Sequence, residues 1–507
     1  MAAIDGWVAY WADQRPNHTA IEFEGREIGY RRLHDQVLAM AKLLVGKGVE
    51  RGDRVAFCGL NRPEQIVALF ACGRIGAVLL PLNNRLSIGE HRFQLADAEP
   101  RLALVTDGFD RAIGDADPSL EIIDLDGEPA GFEPALDDVD RPARPSVNGG
   151  PSRPPSVGGP DDPVLMVYTS GTTGRPKGAV HSQSSLLHTV LNGVAHQDLS
   201  ADDRILTVLP LFHVGGLNIQ TLPALYVGAT VHIQRRFDPG RCLAAIAEHR
   251  PTQTLFVPAV MDAVLGHPDV DDVDFSCLRG LNSGSSVVPD HLIRGFLDRG
   301  VPVGQVYGST ETGPTALVLR YEDGADNVGS CGKPALHTEL RLADPDGRAV
   351  IPGAAGEVLV SGPNLFVEYW RQPEATAAAF TGRWYRTGDV ARQDERGFVH
   401  IEDRVGDVLI SGGENVYPAE VENVVGQHPG VAQVAVIGRA DERWGQIPVA
   451  VIETSADGSP PTVGELRDWC RDRLARFKQP RAVVVVDELP RTALGKVTKH
   501  VLRERFG

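Results

Sequence analysis

From Ile21 to Leu82 short apolar runs alternate with segments of helical periodicity, and this alternation restricts the fold more than any other feature. Ile21 and Phe23 alternate with glutamates, and the Gly25 turn leads to Ile28 and Tyr30, the pattern of a hairpin. Leu33, Val37, Met40, Ala41 and Leu44 then recur at helical spacing, with Gly46 and Gly48 as a stop. Val55 to Cys58 reads as a buried strand, about Pro63 to Gly73 as a helix, and Ala77 to Leu82 as another apolar run. Strands alternating with helices imply an α/β protein with a largely parallel sheet and helices on its faces.

At 507 residues the chain exceeds one ordinary core, and a prior of about 150 residues per domain suggests roughly three compact units. Prolines and glycines crowd the stretch from Asp140 to Pro163, which cannot sustain a helix or central strand and is expected to be a flexible connector over 140–163. A second boundary is expected between 403 and 404, giving a large domain over 1–403 and a small one over 404–507. Beyond it come a Gly412-Gly413 turn, a helix from about Pro418 to Gln427, and an alternating strand from Val431 to Ile437. Ile447 to Glu453, a helix over Val463 to Leu474 and a strand over Ala482 to Val486 complete a compact α+β unit.

The net charge of −17 argues against a general nucleic-acid or anionic-membrane binder. It leaves room for an anionic ligand held by a local cluster of N–H groups and a lysine. Six scattered cysteines without a C-x-x-C pair read as reduced thiols, not as a zinc site or disulfide framework. The first residues lack the layout of a signal peptide, and the last four are not a peroxisomal address. Apolar runs such as Ile75 to Leu82 fall far short of the roughly 20 residues of a membrane span. The cytoplasm is the expected location.

The strongest chemical signal is Thr169-Ser170-Gly171-Thr172-Thr173-Gly174-Arg175-Pro176-Lys177-Gly178. Its glycines let backbone approach a ligand without an intervening Cβ, its hydroxyls can donate to phosphate oxygens, and Lys177 adds a mobile positive charge. The spacing is not that of a Walker loop. A Gly/Thr-rich surface turn is the plain alternative.

Five further stretches follow in order: Pro210 to His213, Tyr307-Gly308-Ser309-Thr310-Glu311-Thr312, Tyr385 to Asp389, Asp403-Arg404 with Ser411 to Asn415, and Pro490 to Lys496. On these motifs the sequence resembles the adenylate-forming enzymes, a family that includes acyl-CoA synthetases, luciferase and peptide-synthetase adenylation domains. The resemblance spans nearly the whole chain. It implies parallel-rich α/β sheets plus a barrel-like subdomain in the large domain, and a small, mobile α+β domain behind it. It also implies a two-step reaction: carboxylate attacks the α-phosphate of ATP to give acyl-adenylate and pyrophosphate, and coenzyme A then takes the acyl group.

The resemblance assigns roles residue by residue. Ser170, Gly171, Thr172, Thr173, Gly174 and Lys177 would grip phosphate, and Thr169 and Glu311 would hold Mg²⁺. Tyr307 would stack on adenine, Gly308, Ser309 and Thr310 would contact the nucleotide, with the Thr310 hydroxyl beside Glu311 also able to hold Mg²⁺, and Ser283, Gly284 and Ser285 would lie near adenine and the acyl group. Asp389 and Arg404 would contact ribose or phosphate, and Gly412, Gly413 and Glu414 would face the thiol. Lys496 would bridge carboxylate and α-phosphate, offsetting the repulsion of two anions in the transition state. His213 would line or gate the acyl pocket, with Leu217, Asn218 and Val318 as further wall candidates.

Plainer readings stand beside these: a solvated Glu311, a turn or N-cap aspartate at 389, a surface pair of Asp403 with Arg404, a solvated Lys496 and a structural His213. Ser283 to Ser286 and Gly406 depart from the family's usual residues, which bears on the pocket's shape and on the hinge. No carboxylate follows Phe212, which disfavours an amino-acid substrate. The expected partner is a fatty, alicyclic or aromatic acid, with no nucleic acid and no integral membrane segment, and a homodimer is allowed. The alternatives are an adenylating enzyme with another acceptor, carrier-protein or luciferase-like, and a non-catalytic nucleotide-binding regulator.

Overall fold

A computed structural model describes residues 3–127, 158–169, 176–285, 288–351, 353–404, 407–411, 414–441, 444–455, 459–471, 473–474, 476–491 and 497–507; for 403, 404, 410, 414 and 415 it describes the backbone. The alternation at the start of the sequence becomes the hairpin Thr19–Phe23 with Arg26–Gly29, the helix Tyr30–Gly46, the strand Arg54–Cys58, the helix Pro63–Ile75 and the strand Val78–Pro81. The helix Pro63–Ile75 is buried all round, so its 3.6-residue periodicity is masked by apolar residues on every side.

Two large sheets carry the big domain. In the nine-stranded sheet, Val303–Tyr307, Gly280–Gly284, Gln253–Phe256, Arg204–Thr207, Thr230–Ile233 and Thr19–Phe23 are parallel neighbours. Antiparallel strands close both edges. The seven-stranded sheet runs parallel from Ile122–Asp124 through Leu102–Val105, Arg54–Cys58 and Val78–Pro81 to Pro163–Thr169. Antiparallel Lys177–Ser182 and the two-residue strand Glu368–Tyr369 then finish that edge. One core joins both sheets, running from Ile4 and Phe23 through Phe70 and Leu186 to Ile233.

A third, antiparallel sheet holds Glu339–Ala343, Gly356–Ser361, Trp384–Gln393, Phe380–Thr381 and Val399–Arg404. It is the part of the large domain that answers to the barrel-like subdomain the resemblance implies. The small C-terminal domain has its own sheet, in which Val431–Asp441 and Gly445–Thr454 form a long antiparallel pair. Ala482–Val485 lies parallel to the second of these, and Leu409, Val421, Val436, Ile452 and Leu466 form a separate core. Its helix Val463–Cys470 stops short of the expected Leu474. Up to position 157 the expected connector lies outside the described residues. All six cysteines are free thiols, five of them buried. Among the described residues no helix is long and apolar enough to cross a membrane.

Candidate functional site

The Gly/Thr-rich run sits between two antiparallel strands. Val164 to Val167 are buried and fix Pro163–Thr169 in the sheet. The pairing with Lys177–Ser182 ends at Thr169 opposite Lys177, where the Thr169 hydroxyl donates to the Lys177 carbonyl at 3.5 Å. Ser170, Gly171, Thr172, Thr173 and Gly174 lie outside the described residues. The next helix, Gln183–Gln197, begins only after the second strand and is capped by the Ser182 side chain. A Walker loop leads directly into a helix N-terminus; the chain here returns as a strand, in keeping with the non-Walker spacing.

Glu311 is central to the cluster beside this hairpin. It lies in the single turn Thr310–Thr312, just after the strand Val303–Tyr307, and is only 7% exposed, so the solvated reading fails. Its carboxylate accepts a hydrogen bond from the Tyr369 hydroxyl at 2.8 Å, and its carbonyl accepts the Phe366 N–H at 2.8 Å. His181 Nε2 donates to the Thr310 carbonyl at 2.8 Å, and burial pushes this imidazole down to about 4. Burial, and then the Glu311 charge, raise the Tyr369 phenol well above its ordinary range, so it stays a donor. Lys177 Nζ sits 4.8 Å from the centre of the Tyr369 ring. Tyr385 packs in the same small cluster as Tyr369, and burial, followed by the Glu311 charge, raises its phenol. The hairpin lysine, the Tyr307–Thr312 stretch and the Tyr385–Asp389 stretch thus meet around one buried carboxylate.

A second link joins the same stretches. The Tyr307 hydroxyl donates to Asp389 Oδ2 at 2.6 Å; burial, followed by the aspartate's charge, raises that phenol. Asp389 lies in the strand Trp384–Gln393, not at a helix N-cap. Its N–H donates to Thr387 Oγ1 at 3.1 Å, and Thr387 Oγ1 donates to the Val358 carbonyl at 2.9 Å. Arg404 is directly opposite Asp389 in the antiparallel pair with Val399–Arg404. Gly308 is required by packing: a Cβ there would lie 1.8 Å from the Pro314 carbonyl oxygen.

Toward the other side of the Tyr307–Thr312 stretch, His213 caps the short turn Val214–Gly216. Its Nδ1 accepts the Gly215 N–H at 3.1 Å, which places the proton of the neutral ring on Nε2, and burial lowers it to about 4. Leu217–Thr221 form a π-turn, a wide coil that recurs at functional sites. Within it Asn218 is fully buried; its amide donates to the Gly313 carbonyl at 3.4 Å. Leu217 instead joins the large core, and Val318 is half-buried in the strand Leu317–Leu319. Ser283 is buried in Gly280–Gly284, with Gly284 beside it. Ser285 is exposed with a left-handed φ of 76°. Ser283 Oγ and Asn218 Oδ1 have no hydrogen-bond partner among the described residues. Buried polar atoms left open in this way suit a polar ligand. Lys496, Gly412 and Gly413 lie outside the described residues, and Glu414 begins the strand Glu414–Val416.

Tyr369 and His181 escape sequence reasoning. The aromatic group Phe366, Tyr369 and Trp370 is the one hint at Tyr369, and aromatic groups are ordinary core material.

The profile of the AMP-binding enzyme family matches residues 8–370, and that of the AMP-binding enzyme C-terminal domain matches 420–496. The indoleacetate–CoA ligase of Aromatoleum aromaticum is 44% identical over 99% of this chain and 98% of its own. A feruloyl-CoA synthase from an Amycolatopsis species is 41% identical over 99% of each chain. The o-succinylbenzoate CoA synthetase of Bacillus subtilis, solved with its acyl-adenylate, superposes with a TM-score of 0.86 at 30% identity, covering 98% of this chain and 97% of that one. The chain belongs to the AMP-binding enzyme family and is an AMP-forming acid–thiol ligase, working with ATP, Mg²⁺ and coenzyme A on a small carboxylic acid.

Proposed function

We propose that the acid is aromatic, an arylacetate or a hydroxycinnamate, and that the product is its coenzyme A thioester. The convergence of Lys177, Tyr369, Glu311, Tyr307 and Asp389 carries the adenylating part of this reading. The aromatic preference draws on the three relatives described above, matched over essentially their full length and named for aromatic acids; relatives at 33% identity are named for long-chain fatty acids.

The residues divide the work by their chemistry. Glu311, buried and oriented by Tyr369, together with Thr169 at the strand end, offers the oxygen ligands that Mg²⁺ prefers. Bound there, Mg²⁺ would neutralise phosphate charge. Lys177 and the hydroxyls after Thr169 take the phosphates, Asp389 takes the ribose hydroxyls, and Tyr307 supports adenine. The acid's oxygen bonds to the α-phosphorus as the bond to pyrophosphate breaks. The thiol sulfur then bonds to the carbonyl carbon as AMP leaves. No protein nucleophile is needed. His213, neutral through physiological pH, serves as a pocket wall and not as a proton carrier. Lys496 supplies the second cation for adenylation from a small domain beginning at 404, with Gly412, Gly413 and Glu414 toward the thiol. The free cysteines favour a cytoplasmic setting.

A panel of aryl, alicyclic and fatty acids, assayed for acid-dependent pyrophosphate exchange and then for thioester with coenzyme A, tests the reading. Indole-3-acetate or ferulate should support both steps. Exchange restricted to fatty acids would refute the aromatic assignment. Exchange without any thioester would refute coenzyme A as acceptor. Lys496→Ala should lose adenylation while still converting supplied acyl-adenylate to thioester; equal loss of both steps would contradict its role.

A further inference from the structure

Away from that cluster, the nine-stranded sheet brings one carboxylate and two imidazoles together. Glu22 and His232 are direct cross-strand partners in the parallel pair of Thr19–Phe23 with Thr230–Ile233. His249 is the last residue of the helix Pro239–His249. One ligand atom from each of the three residues lies within 4.8 Å of the other two. Glu22 divides its oxygens: Oε1 accepts from Arg204 at 2.7 Å, while Oε2 faces His232 Nδ1 at 3.2 Å and His249 Nδ1 at 3.4 Å. Zinc bonds to nitrogen and oxygen of about 2.0–2.1 Å place tetrahedral ligand atoms about 3.3 Å apart. The two distances to Glu22 Oε2 already match that edge.

We propose that Glu22, His232 and His249 form a site for a divalent transition cation of the zinc class, separate from the Mg²⁺–ATP site. Two strands and a helix end hold the three ligands, so little backbone ordering is left for the ion to impose. Arg204 fixes the carboxylate from behind, as an outer-shell partner orients a ligand. Its charge also opposes the cation, an effect that Glu22 and the neighbouring Glu248 offset. Two imidazoles and one carboxylate select a borderline-soft ion over Mg²⁺, which demands oxygen. The bound ion ties the first strand of the chain to the strand Thr230–Ile233 and to the helix behind it, a structural role.

The test uses the full chain without a histidine tag, stripped with EDTA and titrated with Zn²⁺ in competition with a colorimetric chelator. One Zn²⁺ per chain is expected, unaffected by millimolar Mg²⁺, with a higher thermal midpoint when Zn²⁺ is present. His249→Gln, at a partly exposed helix end, should weaken binding by about tenfold or more, since loss of even an outer-shell partner costs 10–100-fold. On the unaltered chain, Co²⁺ should give the intense visible absorption of a four- or five-coordinate ion. Absence of stoichiometric Zn²⁺, a Co²⁺ spectrum no different from free aqueous Co²⁺, or unchanged affinity in both His249→Gln and His232→Gln would overturn the site. Pyrophosphate exchange by the stripped chain with Mg²⁺ restored is expected to persist, which keeps this proposal distinguishable from the acid-activating reading.

Discussion

Replacing Tyr369 by Phe removes one oxygen atom and leaves the ring beneath Lys177 in place. That oxygen is the donor to Glu311 at 2.8 Å, on a carboxylate only 7% exposed. A hydrogen bond to a charged partner contributes about 1.5–3 kcal/mol, and water entering the gap restores part of it. Since about 1.4 kcal/mol is a factor of ten, adenylation should fall roughly 10- to 100-fold. With Glu311 holding Mg²⁺ as proposed, the loss should shrink as Mg²⁺ is raised. Pyrophosphate exchange at saturating acid across a Mg²⁺ titration reads this directly, with urea unfolding of the same preparation as the control for folding. Tyr369→Ala removes the Lys177 contact too, a further loss of about 0.5–2 kcal/mol. Wild-type exchange and an unchanged urea midpoint in Tyr369→Phe would show that the phenol does not hold the carboxylate, and the proposed grip would fail.

Other consequences are open to measurement. Tyr307→Phe removes the 2.6 Å bond to Asp389 and should raise the KM for ATP by about tenfold with little effect on the KM for the acid; steady-state kinetics with each substrate varied decides. Burial holds His181, His196 and His213 down at about 4, against about 6.5 in the unfolded chain. Their contribution is complete above about 6.5 and is lost as pH falls toward 4, because the unfolded chain then binds more protons, at up to about 4 kcal/mol per pH unit for three such groups. Urea midpoints between pH 7 and 4.5 should show that slope, and His196→Gln should lessen it. The rate should show no titration of His213 through neutral pH, and a bell limb near 6.5 abolished by His213→Phe would refute the pocket-wall role. Arg74 Nη1 and Asp5 Oδ2 lie 2.6 Å apart with both side chains buried. Asp5→Ala should therefore destabilise the large domain by about 3–5 kcal/mol, measured by urea unfolding.

Much of this architecture is readable in the chain because local chemistry and final environment agree. Thr19–Phe23, Arg54–Cys58 and Pro163–Thr169 are apolar runs that end as buried strands. Glu311 and Asp389 are recognisable from their motifs, but what holds them is not. Tyr369 lies 58 residues from Glu311 in sequence, and Tyr307 lies 82 from Asp389. Their pairing is set by sheet order, which leaves no trace in local periodicity. The two-residue strand Glu368–Tyr369 is too short for an alternation signal. The π-turn at Leu217–Thr221 and the core position of Leu217 depend on packing against distant strands, so a helical pattern there looks ordinary. Glu22, His232 and His249 are scattered across the sequence and acquire meaning only through strand register.

The pairing of Thr169 with Lys177 sets the two points at which the chain leaves and re-enters the seven-stranded sheet. Slipping Lys177–Ser182 by one residue would turn every side chain to the opposite face and draw Glu368–Tyr369, paired to its outer edge, out of line with Glu311. The register of that one hairpin therefore keeps Lys177 and Tyr369 within reach of each other.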